Sequence, residues 1–541
     1  MFADTVIYSK NVYTGNKYNT EQLAIGIKDD EIIFTGTYEQ AHKYIDEFTK
    51  ILNFNDKFIC PGFHDNHIHF VMSSMVSSRF IADCSGSSAE ECIAKMKAVE
   101  DIRDKDKFML GFGWYHMDWE NPVLPTKEMI DAIYPDRPVA MQSIDAHTMW
   151  LNSCALDKLG ITKDTPPPQG GTFVKDESGE LTGITQETAS LGLMQKIFDY
   201  SYDEYCEAFD MFLHHLAECG ITSACDMAAL SIPGGDLVME DLYDKYHKDK
   251  ELTCRLNIYP QGIMDLTRAH GVMDKHSTNK YIRFSGFKQF FDGINPTHTA
   301  WLGAPYKNAF YDNDCGNPSM DPSLMRDIIL NANKEGISVR VHAVGDKSVD
   351  TLCDIFEEAQ SKYGLPKYGR NGIEHIDDGQ PYNLKRMADL GLVANGQPPH
   401  LVYDMFTINE YLDDKRANFA WAFKSWLEAG AVTSFGTDCP VVDVDFRNVL
   451  FTAVARRDAN TLEPEGGWLP QFRVSRQHAI DCYTQGSAYS CGREEELGTI
   501  EVGKLADIVV LDTNLLECSE EDILKANVLQ TIVGGKTVYK A

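Results

Sequence analysis

Between residues 4 and 55 the chain alternates apolar and polar positions in short runs broken by Asn, Gly and Asp, the two-residue period of strands. Thr5-Val6-Ile7-Tyr8, Leu23-Ala24-Ile25-Gly26-Ile27 and Glu31-Ile32-Ile33-Phe34 are such runs. The far end has the same character, in Asp507-Ile508-Val509-Val510-Leu511 and Thr531-Ile532-Val533. Each end is too small for a core of its own, so the pattern predicts one β domain made from residues 1–57 and 486–541.

From 58 to 485 apolar strand-like runs alternate with amphipathic helical stretches, the order expected of a parallel α/β fold. Eight strands are predicted: Phe63–His69, Ile221–Asp226, Leu252–Tyr259, Phe284–Phe291, Ile337–His342, Gly372–His375, Leu392–Gly396 and Val432–Asp438. Eight is the number that closes a (β/α)8 TIM-type barrel. Residues 71–200 are far too long for one crossover and predict a lobe inserted after the first barrel strand. The expected fold class is therefore α/β, a TIM-type barrel with a small β-sandwich from both termini and an inserted lobe.

Composition narrows the partners. With 541 residues, 43% hydrophobic and 24% charged, the chain is ordinary globular material. Its formal charge of -31 opposes nucleic acid and anionic membrane, which need clustered Lys and Arg. No run of 18 apolar residues predicts a transmembrane helix. No Cys-x-x-Cys occurs among the 14 cysteines, several of which stand in apolar settings as buried reduced thiols do. A soluble cytoplasmic protein acting on a small molecule is expected, with homo-oligomerisation left open.

The chemistry gathers at strand ends. His67 and His69 are two apart on a predicted strand, so both imidazoles face one way, an arrangement that suits a metal. Lys288, His342, His375 and Asp438 stand at or near the C-terminal ends of the fourth, fifth, sixth and eighth strands, and in a barrel those ends surround one mouth. Asp65 shares the parity of His67 and reads as a partner that orients a ligand. His64, on the opposite parity, reads as packing, and His214 and His215 as structural parts of a helix. Trp114, His147, His298 and His400 are candidate substrate contacts, the first two in the lobe and the others in loops after strands four and seven. Trp150, Trp301 and Tyr403 share those regions. Glu187 is a residue that nothing in the sequence places at the site.

In chain order, Pro-Gly-Phe-x-Asp-x-His-x-His, Lys-x-x-x-Asp-Gly, His-Ala-x-Gly-Asp, Ile-Glu-His, Gln-Pro and Phe-Gly-Thr-Asp-x-Pro-Val resemble the amidohydrolase superfamily. The nearest branch is family 3, which includes N-substituted formamide deformylase-like proteins. The resemblance spans essentially the whole chain, including Asp145–Ser153 and the closing Leu497–Asp507. It implies one or two divalent cations, zinc by default. His67, His69 and Asp438 would hold the buried one, His342 and His375 the more exposed one, and Lys288 would bridge them as an N-carboxylated lysine. It further implies hydrolysis of a non-peptide C–N bond by a metal-activated hydroxide, with Asp438 as proton shuttle. Ester hydrolysis, isomerisation or decarboxylation at the same site is the alternative, and a non-catalytic scaffold a more distant one.

Overall fold

A computed structural model describes residues 1–541 apart from 16–17, 20–22, 145–146, 169–170 and 230–235. Asp145 and Ala146 of the motif quoted above thus lie outside the described residues. The chain is a mixed α/β protein of the TIM type and divides into two compact units. One comprises 1–68, 214–227 and 243–541, the other 69–213 and 228–242.

In the first unit four parallel strands, β1 (Phe63–Ile68), β2 (Ile221–Met227), β3 (Arg255–Tyr259) and β4 (Ile282–Phe284), pair in the order β4-β3-β2-β1. Five more, β5 (Phe287–Phe290), β6 (Val339–Ala343), β7 (Gly372–His375), β8 (Val393–Gly396) and β9 (Thr433–Phe435), pair in sequence order, again all parallel. The two sheets meet along both edges. Lys288 N–H donates to the Pro260 carbonyl (3.0 Å), and Asp438 N–H to that of His67 (2.7 Å).

The fourth strand expected from sequence is β4 and β5, broken at Ser285-Gly286. Gly286 has φ +136°, and a Cβ there would stand 2.2 Å from Ser338 Oγ, so only glycine fits. These strands are buried on both faces: every residue of β2 is buried, as parallel sheets covered by helices require. The covering helices are amphipathic. Asp346–Tyr363 buries Val349, Leu352, Cys353, Phe356 and Ala359 at three- and four-residue spacing.

The terminal strands form two further sheets. Phe58–Pro61, counted with the barrel in the sequence reading, lies between Asn11–Tyr13 and Ile508–Leu511 in a six-stranded sheet. Pro61-Gly62 separates it from β1, because Gly62 packs where a Cβ would stand 2.2 Å from Thr222 Oγ1. Ile7, Val12, Ile27, Ile59, Ile508 and Ile532, drawn from both ends of the chain, share one buried cluster. Arg255 of β3 locks this region to the strands of the first sheet through a buried bidentate pair with Asp507 (2.7 and 2.9 Å).

The second unit has its own six-stranded sheet, with Ile81–Asp83, Met109–Trp114, Val139–Ser143, Thr148–Leu151, Leu181–Glu187 and Gly171–Lys175 in that spatial order. Its core packs Trp114, Trp119 and Trp150 with Met96, Ile130 and Met141. Among the described residues no helix is long and apolar enough to cross a membrane.

Candidate metal centre

β1 carries His67 near its C-terminal end, fully buried. Its Nδ1 lies 2.7 Å from Glu374 Oε2, while Nε2 lies 3.3 Å from Lys288 Nζ and 3.3 Å from Asp438 Oδ1. Burial, with the Lys288 charge second, pulls the His67 pKa down to about 4, so the ring is neutral at physiological pH. The Glu374 contact is thus a neutral N–H donated to a carboxylate, which fixes the tautomer and leaves the Nε2 lone pair facing Lys288 and Asp438. A carboxylate–histidine pair of this kind is how proteins orient and enrich a metal-ligating imidazole.

Glu374 is held in turn. Burial would raise its pKa, but Arg340 and His67 outweigh that and bring it to about 2. Arg340 Nε and one terminal nitrogen donate to its two oxygens at 2.6 and 2.9 Å. The other terminal nitrogen donates to Asn66 Oδ1 at 3.0 Å. The sheet register sets these neighbours, with Lys288 beside Arg340 and His342 beside Glu374.

The other ligand candidates of this unit converge on the same place. The His342 and His375 rings are 4.3 Å apart, and those of His67 and His375 5.3 Å. Ligand atoms of His375, His400 and Asp438 lie within 4.8 Å of one another. Burial and then His342 push the His375 pKa well below the usual imidazole range, and burial lowers that of His400. Burial also lowers Lys288 to about 8, which leaves part of its amine uncharged near neutral pH. His69, half-buried two residues beyond His67, is the first residue of the second unit.

Backbone strain marks the same positions. His375 (φ 73°), Ile376 (φ 59°) and Asp438 (φ 61°) are all left-handed, a conformation that costs a non-glycine residue about 1–3 kcal/mol. Surrounding bonds impose it: the Asp438 N–H to His67 carbonyl bond, and Ile376 N–H donated to Ala343 at 3.2 Å. Asp65 is spent on position, since its carboxylate accepts from His67 N–H (3.1 Å), Thr437 N–H (3.1 Å), Thr437 Oγ1 (3.0 Å) and Tyr483 OH (2.7 Å). Asp292 does the same beside His342, accepting from the backbone of Trp301, Val344 and Gly345 at 2.9–3.0 Å.

Gly436 sits where a Cβ would meet His67 N at 2.6 Å and Asp65 Oδ1 at 2.9 Å. Gly436→Ala is expected to displace β1 from β9, with a loss of about 1–3 kcal/mol in unfolding free energy. Denaturant titration checks that figure, and metal analysis should show reduced content.

A model of the amidohydrolase family matches residues 50–539 of the sequence. The chain belongs to the amidohydrolase family. Such a protein is a metal-dependent hydrolase of carbon–nitrogen bonds other than peptide bonds. It is 28% identical to the protein LONG AFTER FAR-RED 3 of Arabidopsis thaliana over 99% of this chain and 92% of that one. It is 25% identical to an N-substituted formamide deformylase of Arthrobacter pascens over 99% of this chain and 98% of that one. In fold it is similar to an uncharacterized metal-dependent hydrolase of Pyrococcus horikoshii, with TM-score 0.76 and 23% identity over 95% and 99% of the two chains.

The donor set of this amidohydrolase fits a divalent cation: imidazoles kept neutral, a carboxylate and a partly neutral amine, all buried. Because His67 stays unprotonated down to about pH 4, protons compete poorly for it. A metal-loaded sample is expected to keep its metal at pH 5.5 and lose it as pH nears 4, read as metal content after gel filtration at stepped pH. Loss with a midpoint near 6.5, the ordinary imidazole value, would contradict the neutral-ring geometry.

The substrate-contact candidates fall in different settings. Trp114 is in the core of the second unit and donates its indole N–H to the Met141 carbonyl (2.7 Å). His147 Nδ1 lies 2.8 Å from Glu187 Oε2 in that same unit. His298 is stacked between Tyr306 and Phe310, ring centroids 4.1 and 3.8 Å away, with Nδ1 2.6 Å from Asp314. His400 Nε2 lies 3.1 Å from the Thr437 carbonyl, beside His375. The sequence reading gave Glu374 and Arg340 no role. Its available signal was an ionisable residue inside an apolar strand, in Val339-Arg340-Val341 and Ile373-Glu374-His375.

Proposed function

We propose that this amidohydrolase cleaves the C–N bond of a small N-formyl, N-acyl or cyclic amide at the cluster around Lys288. The reading rests on one observation: neutral imidazoles, a depressed lysine and Asp438 meet at the C-terminal ends of parallel strands, with His67 Nε2 turned toward Lys288 and Asp438. The nine strand segments then act as eight, closing a barrel. The terminal sheets form a composite sandwich, and residues 71–200 supply most of a lobe.

His67, Asp438 and His69, two residues along the chain from His67, are assigned to one cation. His342 and His375 are assigned to a second, and Lys288, as a carbamate, would offer an anionic oxygen to both. The neutral fraction of the Lys288 amine is the form that adds carbon dioxide, releasing a proton and leaving an anionic oxygen ligand. Zinc suits these donors and, when bound, supplies Lewis acidity toward both carbonyl and water. Asp438 takes the proton of the attacking water onto its carboxylate and passes it to the departing nitrogen. Glu374 keeps the His67 Nδ1–H in place throughout. The formamide deformylase of A. pascens, similar along nearly the whole chain, supports N-formyl compounds as the first class to test.

Purified protein assayed against N-formyl, N-acyl and cyclic amides, with matched esters as controls, should release amine from at least one amide class. Activity should vanish on chelation and return with zinc. Turnover confined to esters, or undiminished in metal-free protein, would overturn the reading.

A further inference from the structure

A second group of ligand-type side chains lies inside the first unit, outside the reaction just described. His64 is the second residue of β1, Cys225 is in β2, and Cys491 directly follows the helix Gln485–Ser490; all three are buried. One ligand atom from each falls within 4.8 Å of the others. His64 Nε2 is 3.5 Å from Cys225 Sγ and 3.4 Å from Ser223 Oγ. A tetrahedral zinc with bonds of about 2.3 Å to sulfur and about 2.0 Å to nitrogen or oxygen separates its N and S ligands by about 3.5 Å, and N and O by about 3.3 Å. The observed spacings match both.

The thiols face more than one acceptor: besides their contacts with His64, Cys225 points at Asn66 Oδ1 (3.4 Å) and Cys491 at the Ala488 carbonyl (3.3 Å). Asn257 Nδ2 lies 3.2 Å from His64 Nε2, yet its two N–H groups already have Ser223 Oγ (2.9 Å) and the Ala224 carbonyl (3.3 Å). Charge also favours a cation, because Zn²⁺ with two thiolates and a neutral imidazole is neutral overall and avoids the cost of burying net charge.

We propose that His64, Cys225 and Cys491 form a structural zinc site that ties β1 to β2 and to the segment after the helix. Binding would form two Zn–S bonds and one Zn–N bond, with the Ser223 hydroxyl oxygen in the fourth position, and release the two thiol protons to solvent, with no change of oxidation state. The site is separate from the reacting cluster. Asn66 stands between them, taking the Cys225 thiol on the same oxygen that accepts from Arg340.

Protein produced in cobalt-supplemented medium tests this. Wild type should show near-ultraviolet thiolate-to-cobalt charge-transfer absorption, which nitrogen and oxygen ligands do not give. The band should disappear in Cys225→Ser and in Cys491→Ser, with bound metal falling by one per chain. It should persist in His375→Asn, which alters only the reacting cluster. A wild-type protein without the band overturns the proposal, whatever cobalt it holds elsewhere, and so does a band that survives both cysteine substitutions. Should the cysteine variants not fold, the wild-type spectrum and that of His64→Gln, which keeps both thiols but shifts the band, decide the matter. None of these readouts depends on identifying a substrate.

Discussion

Asp438→Asn is expected to lower kcat by about 10²–10⁴, the usual contribution of a positioned acid–base group, on whichever amide the enzyme hydrolyses. The asparagine side chain keeps the size of the aspartate, and the left-handed backbone at φ 61° is one that Asn adopts as readily as Asp. The fold should therefore survive, with an unchanged Tm. On the mechanism proposed above, what is lost is a base for the proton of the attacking water, together with a carboxylate facing His67 Nε2. Assayed at saturating metal, the variant separates these effects. A defect in kcat that added zinc does not repair belongs to proton transfer, and one that zinc repairs belongs to metal binding. Full turnover at saturating zinc would remove Asp438 from the chemistry.

The second large effect is on stability. Arg340→Met is expected to cost about 3–5 kcal/mol, the usual penalty for leaving one member of a buried ion pair alone. Arg340 is the main influence holding the Glu374 pKa down against burial. Without it burial dominates, and the folded-state pKa rises above the unfolded value of 4.5. The folded variant then binds the proton more tightly than the unfolded chain, so its stability falls as pH rises from about 4.5 through the new folded pKa. Chemical denaturation of wild type and variant at pH 5 and pH 8 should show a gap that widens at pH 8. Glu374→Gln should instead weaken metal binding by about 10–100-fold, the range for losing a partner that orients a ligand. The double variant should cost less stability than the two single costs combined, because no charge is stranded in it.

The ligand candidates were legible because a strand-end position is a local property. His67, Lys288, His342, His375 and Asp438 each follow an apolar run and precede a turn, and the α/β alternation brings such ends together. Glu374 and Arg340 were not legible in that way. Their partnership depends on which strands are neighbours and in what register, information carried by the closed set of pairings rather than by any one segment. Trp114 shows the converse. Its apolar neighbourhood suits a pocket wall and a core equally, and only the Met141 carbonyl on its indole N–H shows which atoms it meets. The Pro61-Gly62 break was visible, but that it divides a terminal-sheet strand from β1 required knowing that Ile508–Leu511 returns to pair with Phe58–Pro61.

That return has a consequence for how the chain is made. At a ribosomal rate of about 5–20 residues per second, Asp507 emerges on the order of half a minute after Arg255. Until then the guanidinium destined for the Asp507 pair has no carboxylate to meet, and Phe58–Pro61 lacks a strand along one edge. About 252 residues of translation therefore pass between Arg255 and its carboxylate partner. Residues 507–541, which contribute no candidate ligand to the reacting cluster, thus govern when Arg255 and Phe58–Pro61 gain their partners.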